Sequence, residues 1–365
     1  MSIELIISLV KANIVLAVLL TNTILLIWFE RKVVAGMQSR VGPDRAGPFG
    51  ILQTLADAIK LLLKEQILPL KADRAMYLLA PLIALVPSFL IFMIIPLGPD
   101  ITVEWQNALY TIPLVGADLN VGVLYFLAFS SIAVYSVVLA GWSSGSKYPL
   151  LGGVRASAQM ISYEAAMGLA LVPVILYSGS LSLVDIVNSQ SGNLSSSIPI
   201  LNTIVSFIPK WNIFPQFVAF GIFFIAAVAE VNRAPFDLVE AEQELVGGFH
   251  TEYSGFRFAM FFLAEYINMF NMCAITATFF LGGWLGPTFE GILPPIFSVI
   301  MPIIWLGVKT FLLLFVFVWI RATLPRLRYD QLMELGWKRM IPLSLVWLIL
   351  SAIVLGLREF GIPWS

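Results

Sequence analysis

Apolar residues in this chain run in long blocks, and a short polar stretch closes each one. Eight blocks reach or approach the ~20 residues needed to cross a hydrocarbon core: residues 5–29, 76–97, 121–141, 157–177, 214–231, 257–284, 299–320 and 341–357. The spacing predicts an all-α, polytopic integral membrane protein of about eight transmembrane helices, forming a single membrane domain over residues 1–365. Lys and Arg gather in the loops after the first, third, fifth and seventh blocks. The even-numbered loops and the C-terminal tail hold only Lys210 and Arg358. The odd loops are therefore expected on the cytoplasmic side, with both termini opposite. The first block runs directly into Glu30-Arg31-Lys32 without a small-residue cleavage pattern, as a retained span does. No internal or inverted repeat is evident, which argues against the commoner transporter architectures.

The first cytoplasmic loop, residues 30–75, carries a second kind of pattern. Over residues 49–65, Leu52, Leu55, Ile59, Leu62 and Leu63 share one helical face and Gln53, Asp57, Lys60 and Lys64 another. Such a helix lies in the membrane interface. It either anchors the loop or forms a doorstep beneath which an apolar ligand passes from the bilayer, with Asp57 and Lys60 facing inward. The basic stretch Arg321 to Asp330 in the seventh loop either docks an acidic soluble partner or only sets topology.

Composition fits the membrane assignment: 59% of the 365 residues are hydrophobic, 12% are charged, and mean hydropathy is +0.92. A net charge of −1 gives no support to a nucleic-acid partner. Cys273 is the one cysteine, so the chain can form no internal disulfide and cannot by itself ligate an iron–sulfur cluster through cysteines. A redox cofactor would have to sit on a partner.

Against this apolar background, the stretch from Ala229 to Tyr253 holds Glu230, Asp237, Glu240, Glu242, Glu244 and Glu252, within an acidic cytoplasmic loop at residues 230–256. Glu164, Glu265 and Lys309 lie well inside the fourth, sixth and seventh apolar blocks. Each costs at least about 2.5–3.5 kcal/mol at mid-bilayer unless it faces protein or water. Buried, neighbouring carboxylates can exchange protons near neutral pH, so this set reads as a proton or charge relay. The structural alternative is that Lys309 neutralises Glu265 or Glu164 in an ion pair between helices. His250 is the only histidine and has no second nitrogen or sulfur ligand at useful spacing, so no metal site is expected. The glycine-rich pieces match neither a Walker loop nor a dinucleotide fingerprint.

Several longer motifs converge. Glu30-Arg31-Lys32, the run from Arg40 to Pro48, Ala56 to Lys60, Gly145 to Tyr148, Ile161 to Glu164, Ala229 to Asp237, Glu240 to Gly248 and Ile320 to Thr323 together resemble one family over nearly the whole chain. That family is the membrane subunit of respiratory complex I that is numbered 1 in mitochondria and lettered H in bacteria, with a related member in membrane-bound hydrogenases. The resemblance implies a subunit of a proton-translocating NADH:quinone oxidoreductase that is not catalytic alone and has no catalytic residue of its own. It would join the peripheral redox arm to the antiporter-like membrane arm, in the bacterial inner membrane or its organellar counterpart. Quinone would be the substrate, and iron–sulfur clusters and flavin would sit on partner subunits. Other membrane subunits and lipid would surround it. By motif, Arg31, Asp57, Lys60, Arg233, Phe236 and Asp237 would border the quinone path. Glu164, Glu230, Glu240, Glu242, Glu244 and Glu265 would form the acidic connection into the membrane. Some bacterial members carry a further Glu in the third span, where this chain has Ser130-Ser131, so a relay there would rely on hydroxyls, water or a neighbouring subunit. A stand-alone proton-coupled transporter, a structural anchor for a redox arm and the related hydrogenase component are the rival readings.

Overall fold

The computed structural model describes residues 3–105, 108–193, 209–238, 246–287 and 296–359. Its long helices are α1 (Ile3–Met37), α3 (Arg74–Met93), α4 (Gly122–Ser143), α5 (Lys147–Ser178), α8 (Gly255–Phe280), α9 (Ile296–Thr323) and α11 (Ile341–Glu359). Shorter helices are α2 (Gln53–Leu63), α6 (Leu183–Ser189), α7 (Phe217–Glu230) and α10 (Tyr329–Glu334). An antiparallel hairpin, β1 (Ile101–Trp105) with β2 (Ala108–Ile112), follows α3. Among the described residues, seven helical stretches are long and apolar enough to cross a membrane, which makes this a multi-pass membrane protein.

The remaining apolar block, residues 214–231, behaves differently. α7 has 14 residues, which at 1.5 Å per residue extend roughly 21 Å against a core of ~30 Å. It ends where Asn232 adopts a positive φ of 54° and Pro235 disfavours the helical conformation in the residue before it. Glu230, expected at the cytoplasmic end of this span, instead meets Ser130 in the middle of α4. The chain from Val231 to Leu238 then returns through the protein interior, with Val231, Arg233, Phe236, Asp237 and Leu238 all buried. Irregular backbone at membrane depth is tolerated only under such cover.

Around α7 the helices pack in sequence: α3 on α4, α4 on α5, α5 on α7, with α8 against α3 and α9. Small residues allow close approach. A Cβ on Gly152 of α5 would stand 2.7 Å from Gly248, and one on Gly141 of α4 would stand 2.5 Å from the Pro149 carbonyl. The core joins Phe126, Tyr163, Met167, Phe223, Ile267 and Phe280. α3 begins where the Asp73 carboxylate accepts from the backbone N–H groups of Ala75 and Met76.

At the opposite end of the bundle Lys309 contradicts the ion-pair alternative for Glu265 and Glu164. Its ammonium donates to the carbonyls of Leu281 at 2.6 Å and Gly283 at 2.9 Å and lies 4.3 Å from the Trp211 ring centre. Carbonyls freed at the end of α8 meet the charge without a carboxylate.

The interfacial helix is shorter than its apolar pattern. Phe49 and Gly50 have φ of 55° and 77° and break the helix before Gln53. Leu52, Leu55, Ile59, Leu62 and Leu63 are all exposed on its outer side, as an in-plane membrane helix requires.

Candidate functional site

Arg233 is the centre of the buried charges. The returning chain after α7 carries it into the bundle, 4% exposed. Its guanidinium lies 3.2 Å from Glu30 at the end of α1 and 2.7 Å from Glu265 on α8, and it covers the Tyr266 ring at 4.4 Å. Arg321, in the last turn of α9, pairs with the same Glu30 carboxylate. Arg326 pairs with Asp237 at 3.3 Å. Three acids and three arginines thus form a ladder in which every named charge has an opposite neighbour, the condition for holding charges in low dielectric.

Gln159 of α5 holds the returning chain in place. Its amide donates to the carbonyls of Ala229 and Phe236, both at 2.7 Å, and lies 3.2 Å from Asn232 Oδ1. Phe236 packs edge-on against Tyr163 at 5.3 Å. Replacement of Gln159 by Leu leaves these buried carbonyls without their donor, so a loss of about 1–3 kcal/mol is expected. The check is the melting temperature of the solubilised protein, with Gln159→Glu as a comparison that keeps the shape.

Two cavities flank Arg233. The outer one, about 610 Å³, lies toward the C-terminal ends of α1 and α9 and is lined by Glu30, Arg31, Gln38, Arg40, Tyr266 and Arg321. The inner one, about 70 Å³, is lined by Glu230, Asp237, His250, Glu265, Asn268 and Ser136. A single water needs ≳10–15 Å³ of such space, so the inner cavity has room for several. Tyr266 and Glu265 are consecutive on α8 but face different cavities, and Arg233 contacts both. Burial among Phe249, Phe258 and Phe262 pushes the His250 imidazole down to about 4, so this ring is neutral near pH 7.

Glu230 and Glu164 meet consecutive residues of α4. The Ser130 hydroxyl donates to Glu230 and the Ser131 hydroxyl to Glu164. Glu164 then reaches a shallow cleft on the side of the bundle, lined by Leu127, Ile161, Ala165, Gly168 and Leu169.

The structure brings Asp237, Glu230 and Glu265 together around the inner cavity, with Arg233 paired to Glu265, and places Phe236 in the core. Arg31 pairs with Asp57 of α2 at 2.6 Å at the outer cavity, and Lys60 is exposed. Glu240, Glu242 and Glu244 lie outside the described residues. Sequence reasoning sees Glu30 only as part of a motif, sees Arg321 and Arg326 only within a motif or the basic stretch, and assigns no role to Tyr266 or Gln159. A carboxylate closing the first apolar block and an arginine closing the seventh are the signal that could have found the first two.

A family model described as NADH dehydrogenase matches residues 10–352. The chain is 47% identical over 362 residues to an H-type component (form 2) of the NADH-quinone oxidoreductase of Koribacter versatilis, covering 97% of this chain and 98% of the relative. It is 51% identical to form 2 of the corresponding component from Syntrophobacter fumaroxidans, over 92% of both chains. To form 2 from Geobacter sulfurreducens it is 50% identical, over 94% of this chain and 95% of the relative. The same buried ladder of Glu30, Arg233, Glu265 and Arg321 is thus set in a sequence that such relatives match end to end, and the chain belongs to the NADH dehydrogenase family.

Proposed function

We propose that this chain is the H-type membrane subunit of a proton-translocating NADH-quinone oxidoreductase, and that it couples quinone chemistry at the outer cavity to proton movement through the inner one. The observation that carries this reading is the place of Arg233 between the two cavities, bonded to Glu30 on one side and Glu265 on the other. Quinone reduction consumes electrons and protons together, so the charge at the outer cavity changes during turnover. Arg31, Arg40 and Arg321 present donors to a carbonyl or a reduced quinone oxygen, while Val34, Ala35 and Val41 offer apolar wall. A volume of about 610 Å³ is of the size that holds a small organic headgroup.

Electrons would come from an iron–sulfur cluster on a peripheral partner, with flavin further upstream, because Cys273 is buried in α8 and offers no cluster ligand. The charge ladder would answer reduction by shifting protons among Glu265, Asp237 and Glu230. Glu164, beside the next residue of α4, would pass the change toward neighbouring membrane subunits. Glu240, Glu242 and Glu244 would extend the acidic series at the cytoplasmic end. The exposed apolar face of α2 would rest in the lipid of a bacterial inner membrane, beside the way into the outer cavity. The relatives are named as components of quinone oxidoreductases, which favours quinone over protons as the electron sink.

The test is photolabelling of the assembled complex with a quinone analogue. Labels are expected within residues 31–64 and to disappear with excess quinone. Labels confined to other subunits would overturn the assignment of the outer cavity.

A further inference from the structure

We propose that the adjacent hydroxyls of Ser130 and Ser131 carry protons across α4 between Glu230 and Glu164. This bridge rests on the reading of the acids as a proton path, and it supplies the way that path crosses a helix with no carboxylate at this level.

Ser131 has two acceptors and one proton. Its hydroxyl lies against the Glu164 carboxylate and also 3.0 Å from the Leu127 carbonyl one turn back. A serine has one O–H to donate and two lone pairs to accept with. When Glu164 is ionised, Ser131 donates to it. When Glu164 is protonated, the acid donates to Ser131, which turns its hydrogen to Leu127. Both charge states of Glu164 are therefore satisfied without moving a helix. Ser136 and Ser144 on and just beyond α4 bond to carbonyls of their own helix, Ala133 and Ala140, the ordinary behaviour of serines in apolar helices. Ser131 is set apart by its second partner.

Ser130 supplies the inner half. Glu230 is 6% exposed; one of its oxygens accepts from Ser130, and the other, Oε2, has no partner among the described residues. Glu230 also lines the inner cavity. A proton arriving from the cavity on Glu230 makes it a donor to the Ser130 oxygen, which takes that proton as its own hydrogen leaves toward the Ser131 side. Consecutive Cα atoms lie about 3.8 Å apart and their side chains diverge by about 100° around the helix, so the two hydroxyls stand on neighbouring faces of α4 and the step between them needs one water or a turned carboxyl. The net result is one proton moved from Glu230 to Glu164, with each hydroxyl neutral before and after.

The experiment compares the assembled complex in proteoliposomes with Ser130→Ala/Ser131→Ala, Ser130→Cys/Ser131→Cys and Ser130→Thr/Ser131→Thr variants, beside Glu230→Gln and Glu164→Gln. The alanine and cysteine pairs are expected to lose at least about tenfold in protons moved per quinone reduced, in line with removal of a proton-transfer group. The threonine pair, which restores the hydroxyls, should stay within about twofold of the parent. The carboxyl C=O bands of Glu230 and Glu164 in difference infrared spectra should shift in the alanine pair and return in the threonine pair. If alanine does not assemble, the cysteine pair decides, because it keeps the volume and removes the strong donor. Parental pumping in the alanine or cysteine pair, with both Gln variants impaired, would overturn the hydroxyl bridge and leave the acid path standing. Parental pumping in both Gln variants would remove the acid path and the bridge together.

Discussion

Arg233→Met is expected to cost about 3–5 kcal/mol and to leave little assembled complex, the largest stability loss of any single substitution in the site. The arginine lies within 3.2 Å of Glu30 and 2.7 Å of Glu265, and its plane covers Tyr266 at 4.4 Å. Its removal leaves Glu30, 4% exposed, to Arg321 and takes from Glu265 the cation beside it. Arg233→Lys should be milder in stability and still severe in activity. A lysine ammonium is a point charge that cannot serve two carboxylates in a plane while lying flat on a ring. The yield and thermal stability of the purified complex measure the first effect, and quinone reductase activity measures the second. The combination Arg233→Met with Glu265→Gln separates the two, since it removes the carboxylate beside the lost arginine while Glu30 keeps Arg321. Stability should return in large part while activity does not. Full activity in that double variant would reduce the ladder to packing.

The ladder also marks where sequence reasoning stops. Apolar blocks, basic loops and the dense acids after Ala229 are legible because each depends on neighbours in sequence. Hydrophobic runs of about 20 residues and the asymmetry of Lys and Arg need no tertiary information. Arg233 and Glu30 are 203 residues apart, and neither periodicity nor composition records such a meeting. Lys309 lies within a long apolar helix, as its block predicts, but the carboxylate partner weighed for it is wrong. A sequence shows a buried cation and buried acids, while the carbonyls of Leu281 and Gly283 exist as acceptors only once α8 has ended beside them.

The level of Glu230 is hidden for another reason. The block at residues 214–231 has the apolar length of a span, but its first residues form the turn before α7. Four or so residues lost from a helix shorten it by roughly 6 Å, which accounts for part of the depth at which the terminal carboxylate meets α4. Arg233, Asp237 and Glu230 share one motif in the sequence, and they also meet around one cavity in the fold. No motif could say that Ser130 and Ser131 face two different acids, because consecutive residues on a helix diverge by about 100° and their partners come from α7 and α5.

Glu230→Gln should abolish most of the coupled proton movement, by at least about tenfold and within the range of about 10²–10⁴ typical of a lost proton-transfer group, while leaving the fold intact. An amide has the shape of the carboxyl and its oxygen still accepts from Ser130, so packing around α7 is preserved. A buried carboxylate removed from a site 6% exposed also removes a desolvation penalty, so the variant should be as stable as the parent or more so. That is the opposite sign to Arg233→Met, and the contrast is informative: one residue holds the structure against a cost, the other carries a cost for a purpose. Glu164→Gln should have a smaller effect because this acid is partly exposed beside the lateral cleft, where water or a neighbouring chain can supply another route. Proton pumping against quinone reduction in proteoliposomes gives the ratio for each variant, and thermal inactivation gives the stability. A Glu230→Gln complex that pumps at the parental ratio would leave the buried acid with no role a neutral amide cannot fill, and coupling would have to run through Glu265 and Asp237 alone.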